Sequence, residues 1–412
     1  MAALRLPAPF ALMPPVARSL VGLLLLMVCV EAPAIQEIVF SSGPVRGPGW
    51  SVARTQTRLR LENARSSAVI ELVGIELPGP FKQIEKISAS CGRLNFEASA
   101  IACAGGELRM HTLDGAPTFS PARFGAAYGK QGFRFNIDGL ELGGGVIEVA
   151  FEGTDAGFSL EMEAESLPLP ALLGLIDLKR TGIDVASLSG VVSAKLRWGR
   201  SSSEGLLSAS LNLQQLAFSD TSGLHAGENL VMDLGLEASR RSGPWDFRSV
   251  ASVSAGQVYL HPVFVDAVEG ALQFEARGGT DGESKQLTVE DLSFRHPGVG
   301  QIDGSAVLSL DAQVPRLDRL VLQTKRIALA RFHDVYVKPW LTETAFSKLT
   351  ASGNANLEIA WSRQGPSEAA LTLGEMSLED DGARFGLLGL SGDVYWRKSG
   401  KPRQSRVGLK GG

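Results

Sequence analysis

The chain has 412 residues, with 40 basic against 44 acidic side chains and a formal net charge of −4. That balance excludes the basic footprint of a nucleic-acid binder, and 44% hydrophobic against 20% charged residues excludes a disordered polyampholyte. Glycine is abundant at 47 residues, while 4 Tyr and 5 His supply few of the side chains that usually carry chemistry.

Residues 1–34 read as a targeting segment. Arg5 and Arg18 precede the uncharged stretch from Ser19 to Val30, and Ala32-Pro33-Ala34 offers the small-x-small pattern of signal cleavage. As a helix, that stretch spans about 18 Å, short of the ~30 Å hydrocarbon core. A cleaved signal and an uncleaved inner-membrane anchor both remain open. Val28 ahead of Cys29 does not make a lipobox. Either reading sends residues 35–412 out of the cytoplasm, into the periplasm or cell envelope.

Residues 35–130 form a β-rich N-terminal part. Arg54 to Leu61 alternates polar with apolar residues, as a half-buried strand requires. Cys91 and Cys103 follow, and an oxidising compartment predicts a disulfide closing a small hairpin, with two buried thiols as the alternative. Neither a CxxC nor a nearby His pair supports a metal or redox role.

Alternation continues at Phe133–Ile137, Phe158–Ala164 and Leu211–Leu213, with Gly, Ser and Asn clusters between runs, the pattern of an antiparallel meander. Two segments break it. Leu169–Leu188 and Phe332–Leu349 carry helical spacings, with Pro170 and Pro339 placed for first turns. These excursions occupy matching places in an internal repeat. Leu160, Met162, Leu167 and Leu169 match Leu320, Leu322, Ile327 and Leu329 at an offset of 160. Gly190 and Trp198 match Gly353 and Trp361, and Leu211 and Leu213 match Leu371 and Leu373. The strand parity survives, so both copies turn the same face inward. Residues 131–270 and 271–412 are accordingly read as two β-repeat units. The chain stops soon after Leu390–Trp396 begins a strand, which leaves an edge for more of the chain or for an envelope partner.

Catalytic chemistry finds no support. The five histidines show no metal-binding spacing, and no nucleophile elbow accompanies His333-Asp334. The histidines read as surface or turn residues, Gly298-Val299-Gly300 as a turn, and Glu379-Asp380-Asp381 as a solvated loop. The expectation is a protein without catalytic residues, metal or cofactor.

The strands do carry one conspicuous apolar set. Val192, Ala194, Leu196 and Trp198 share a face, joined by Leu211 and Leu213. Ala355, Leu357, Ile359 and Trp361, with Leu371 and Leu373, repeat it. Such a face must be covered. A closed sandwich or barrel core is one solution, and a curled sheet whose apolar groove holds acyl chains is another. Too few helices are expected to cover it.

The apolar N-terminal segment, the Gly-rich alternating body and the strand–excursion–strand units at Leu160–Trp198 and Leu320–Trp361 resemble AsmA-like envelope proteins. Within these, the likeness is to the YdbH and TamB type of bridge-like lipid transporters of Gram-negative bacteria. The resemblance implies a mainly β, elongated and curled antiparallel sheet, a taco-like groove with a few short helices. It also implies anchorage at the inner membrane and conduction of phospholipid, or another acyl-chain lipid, toward the outer membrane to support its biogenesis. The twelve apolar residues above would then line the groove. About 25 strands at ~4.8 Å each would reach roughly 120 Å, so one such chain is short for the whole envelope. The alternative is a secreted or surface β-repeat protein, structural or adhesive, with a closed dry core.

Overall fold

The computed structural model describes residues 36–47, 50–61, 66–77, 84–97, 99–112, 119–176, 185–267, 270–281, 283, 285–310, 315–382, 384–398 and 404–409. The expected targeting segment, residues 1–34, lies outside them. Among the described residues strands make up 77% and helices 6%, in one 24-stranded antiparallel sheet that does not close. The fold is a mainly β curled sheet, as expected, and the described residues do not form a closed sandwich or barrel.

β1 (Glu37–Ser42) and β2 (Val45–Gly47) share one edge of β3 (Trp50–Arg60). Then β4 (Ser66–Glu76), β5 (Ile84–Glu97), β6 (Ala100–Thr112), β7 (Ala122–Gly129), β8 (Gly132–Leu142) and β9 (Gly145–Thr154) each pair with their predecessor. The meander continues through β10 (Gly157–Pro168), β11 (Ser187–Ser201), β12 (Glu204–Ser219), β13 (His225–Arg241) and β14 (Trp245–Leu260). β15 (Val263–Asp266) and β16 (Leu272–Thr280) divide the next edge. β17 (Gln286–His296) and β18 (Gly300–Ser309) follow, and β19 (Arg316–Lys325) with β20 (Ile327–Ala328) divides the edge of β21 (Leu349–Ser362). β22 (Gly365–Asp380), β23 (Gly386–Arg397) and β24 (Arg406–Leu409) complete the order.

The sheet is creased as well as twisted. Ser166, Gln215 and Asn229 have φ of 53°, 52° and 50°, and Gly190 and Gly256 have 130° and 96°. These five residues lie one per strand from β10 to β14, at or beside register shifts in the pairing. A bulge bends its strand and tightens the local twist, and bulges aligned from strand to strand bend the sheet along a line. The second copy repeats the row with Arg326, Gly353, Glu375 and Gly392 at φ of 50°, 90°, 52° and 145°. At Gly190 a Cβ would lie 2.9 Å from the Leu216 Cα, and at Gly353 it would lie 2.5 Å from the Glu375 carbonyl oxygen. Only glycine fits either place, which is why both copies hold it there.

Helices α1 (Leu169–Gly174), α2 (Leu329–Phe332) and α3 (Lys338–Leu341) lie in the two excursions, with a π-helical turn over His333–Val337. Pro170 and Pro339 do occupy first-turn positions. Leu169, Ala171, Leu172 and Leu175 pack against Leu142, Leu167 and Val192, so α1 covers the apolar face beside the crease. The repeat offset is also explained. Both excursions leave the sheet at matching residues, 168 and 328, but the second is longer, and the β21–β22 hairpin is shorter than the β11–β12 hairpin. The offset rises to 163 between them and then returns to 160.

Cys91 and Cys103 form the expected disulfide, with S–S 2.03 Å, across the β5–β6 hairpin. Both are buried with Leu108, Ala122, Phe124 and Leu140. Two sequence expectations are corrected. His296 and His333 are buried rather than surface residues: His333 lies within the second excursion, and Tyr336 of that excursion bonds His296 at 2.7 Å. Asp380 is buried rather than a solvated loop carboxylate, because Arg384 reaches back to bond it.

Candidate functional site: the apolar face

Residues that stand opposite one another in a ladder share a face, so the register shows which side chains come together. Val192 faces Leu213 and Ala194 faces Leu211 across β11 and β12. Ala355 faces Leu373 and Leu357 faces Leu371 across β21 and β22. On the other side of each copy, Leu160 faces Trp198 and Met162 faces Leu196, while Leu320 faces Trp361 and Leu322 faces Ile359. All twelve predicted residues therefore lie on one face.

The ladder does not stop at the predicted residues. From Leu211 it runs through Leu234, Ala251, Phe274, Phe294 and Ile302 to Thr324 on β19. Toward the N-terminus it passes from Met162 through Val149 and Ile137 to Phe124. Sequence reasoning missed this middle section because it drew candidates only from the repeated segments. Plain alternation over residues 232–236 and 292–294 carried the signal.

Aromatic side chains, scarce overall, concentrate on part of this face. Phe124, Phe135, Phe133, Phe151, Phe158 and Trp198 form a chain of ring contacts across β7 to β11. It ends on an edge-to-face pair, Phe158 with Trp198, at 4.9 Å between centroids.

Cover over the face is uneven. Val192 and Ala355 are buried beside the excursions, whereas Trp198 and Trp361, at the far ends of the same strands, are 44% and 42% exposed. Between them Leu196, Leu211, Leu357, Ile359 and Leu371 are half-buried. Among the described residues only Leu142 and Leu230 are fully enclosed large side chains. A closed core of this many strands would enclose dozens.

The opposite face is polar and held by cross-strand ion pairs. Glu163 bonds Lys195, Arg134 lies 3.4 Å from Glu152, Arg248 lies 3.0 Å from Glu275, and Lys325 lies 2.6 Å from Asp303. Lys325 beside Asp303 holds that carboxyl below its ordinary range, and Arg277 does the same for Glu275. A concavity of about 790 Å³ lies over this face, where Glu163, Lys195, Ser210, Asn212, Asp233 and Glu275 contribute to its wall. Ala194 and Leu211 also line it, but their register partners place their side chains with the apolar set.

Among the described residues no group of three or more His, Cys, Asp or Glu is placed to hold a metal ion. No described helix is long and apolar enough to cross a membrane. The face therefore offers apolar area and aromatic edges, with little directional bonding. No known protein family, curated protein or solved structure matches this chain.

Proposed function

We propose that this protein is a non-enzymatic cell-envelope conduit that carries phospholipid, or another acyl-chain lipid, along the apolar face of its sheet. The observation that supports this reading is the ladder of side chains, apolar but for Thr324, left open at the Trp198 and Trp361 ends by a sheet that does not close. Each CH₂ taken from water contributes about 0.8 kcal/mol. An acyl chain is thus held by area alone, and equivalent neighbours let it slide without a deep minimum.

In this reading the excursions cover one end of the apolar face, as α1 does at Leu142, Leu167 and Val192. The N-terminal segment directs the chain out of the cytoplasm, as a cleaved signal or an inner-membrane anchor. Transfer runs between inner and outer membrane and supports outer-membrane biogenesis. The resemblance to AsmA-like proteins belongs to the same proposal. The alternative, an adhesive or structural protein with a closed dry core, fits less well because it needs closure.

The test is lipid extraction and native mass spectrometry of the protein purified from the envelope. The wild type should carry phospholipid. The double variant Leu196→Asp with Ile359→Asp, which puts one charge on each copy of the face, should lose it while still being exported. Unchanged lipid in a folded double variant would overturn the proposal.

A further inference from the structure

The apolar face carries two cations at its open end. Phe158, Arg200, Gly205, Arg240 and Trp245 stand opposite one another in turn across β10 to β14, so they share a face. The next row inward is Leu160, Trp198, Leu207, Ala238 and Phe247. The two arginines therefore lie on the apolar face, just outside Trp198. Gly205 separates them without a side chain, and the Trp245 ring reaches to within 2.7 Å of where its Cβ would stand. Phe158, Arg200, Gly205 and Arg240 line one concavity of about 650 Å³.

These cations are not neutralised. Among the described residues neither Arg200 nor Arg240 has a carboxylate within ion-pair distance. Two carboxylates also line the concavity, but Glu152 stands opposite Ser159 and Glu204 opposite Arg241. Both are one residue out of step with the row and belong to the polar face. The second copy gives the contrast. Trp361 matches Trp198, and Arg363, two residues on, matches Arg200. There Asp318 takes the place of Phe158, and its two carboxylate oxygens accept from Arg363 at 2.5 and 2.9 Å. One copy answers its arginine with a carboxylate and the other with a ring, which leaves positive charge on the first copy's apolar face.

The planar fork of a guanidinium matches a phosphate. β11 and β13 are two strand spacings apart, about 10 Å, so both arginine side chains can close on one phosphate between them. A free phosphate has no use for the apolar row inward of that point, whereas acyl chains would cover it. We infer that Arg200 and Arg240 bind the phosphate of a lipid headgroup of net negative charge, with its acyl chains over Trp198, Leu207 and Ala238. The row offers no carboxylate to a headgroup ammonium, so phosphatidylglycerol is preferred to phosphatidylethanolamine. The inference rests on the conduit reading and names the class of headgroup that the conduit takes.

The test incubates the full chain with vesicles of phosphatidylglycerol and phosphatidylethanolamine in equal amounts and identifies the bound lipid by native mass spectrometry. The wild type should hold phosphatidylglycerol about threefold or more above its share, as two exposed charge contacts allow. Arg200→Gln with Arg240→Gln should return the bound lipid to the vesicle ratio with its total unchanged. Arg200→Lys with Arg240→Lys, which keeps the charge, should retain most of the preference. Inorganic phosphate in place of chloride at equal ionic strength should leave it intact. Wild-type protein that binds lipid in the vesicle ratio would overturn the inference and leave the conduit reading standing. So would a preference that survives the double Gln variant, or one that inorganic phosphate abolishes. Folded wild-type protein that takes up neither lipid would overturn both.

Discussion

Ser166 and Arg326 stand 160 residues apart, share a left-handed backbone at φ 53° and 50°, and point their N–H groups at a polar side chain on the next strand. The acceptors are Ser193 Oγ at 3.1 Å and Asn356 Oδ1 at 2.7 Å. Two copies have thus kept the bulge, the conformation and the means of satisfying the freed donor, while the residue types diverged. The crease is a built feature of the repeat.

Glycine at the crease supplies the first prediction. Gly353→Ala forces a side chain into φ 90° and against the Glu375 carbonyl oxygen. It should cost about 2 kcal/mol or more. In a meander of nearest-neighbour contacts the loss stays local, so amide hydrogen exchange should speed up in β21 and β22 and remain unchanged in β4 to β8. Gly190→Ala should do the same in β11 and β12. A glycine outside the row, such as Gly386 with open space around it, should accept alanine with little effect.

His333 gives a prediction of the opposite sign. Its imidazole is buried, and neither ring nitrogen has a hydrogen-bond partner, the nearest carboxylate oxygen being that of Asp334 at 3.6 Å. An unsatisfied buried polar group costs about 1–3 kcal/mol. His333→Leu should therefore slow amide exchange across α2 to α3 and raise the local unfolding free energy. A destabilised excursion in this variant would show that the imidazole has a partner in solution.

Acid should loosen the second copy in a defined direction. Arg363, with Ser309, holds the Asp318 carboxyl well below its ordinary range, and Arg384 holds Asp380 down to about 2. A carboxyl depressed in the folded state contributes stability at pH above its unfolded value, near 3.9. That contribution is lost as pH falls through the folded value. Between pH 5 and pH 2, thermal melting should show β18, β19, β21 and β22 weakening first. Asp318→Asn with Asp380→Asn should be less stable at neutral pH and flatter across that window.

The disulfide should matter only to the N-terminal part. Reduction, or Cys91→Ser with Cys103→Ser, opens a loop of sequence separation 12 and disturbs the cluster around Leu108 and Phe124. The expected cost is about 3 kcal/mol. Limited proteolysis under reducing conditions should cleave first within β5 to β7, with the repeat units untouched.

Much of this architecture was legible because period-two alternation constrains side-chain direction so strongly. Val192, Ala194, Leu196 and Trp198 could be placed on one face from the sequence, as could Ala355, Leu357, Ile359 and Trp361, and the pairing agrees. Sheet closure was not legible. Alternation fixes which face is apolar, but curvature depends on bulges, and Ser166 and Gln215 carry no local signal for φ above zero. Gly190 and Gly353, matched between the two copies, were the sequence's hint at the row. Burial of His296, His333 and Asp380 depends on chain segments folding over them, which residue spacing does not reveal. The polar concavity escaped for the same reason, since its wall gathers from strands as far apart as β10 and β17.

The central claim is that lipid travels on one face of this sheet and not on the other, and adjacent residues in a strand separate the two. A photoreactive amino acid at Leu196 or Ile359 points into the ladder, while the same group at Lys195 or Glu358 points to the polar face. After irradiation in living cells, the account predicts phospholipid crosslinked at Leu196 and Ile359 and essentially none at Lys195 and Glu358. Equal crosslinking at both parities, or none at Leu196 and Ile359 in exported, folded protein, would contradict it.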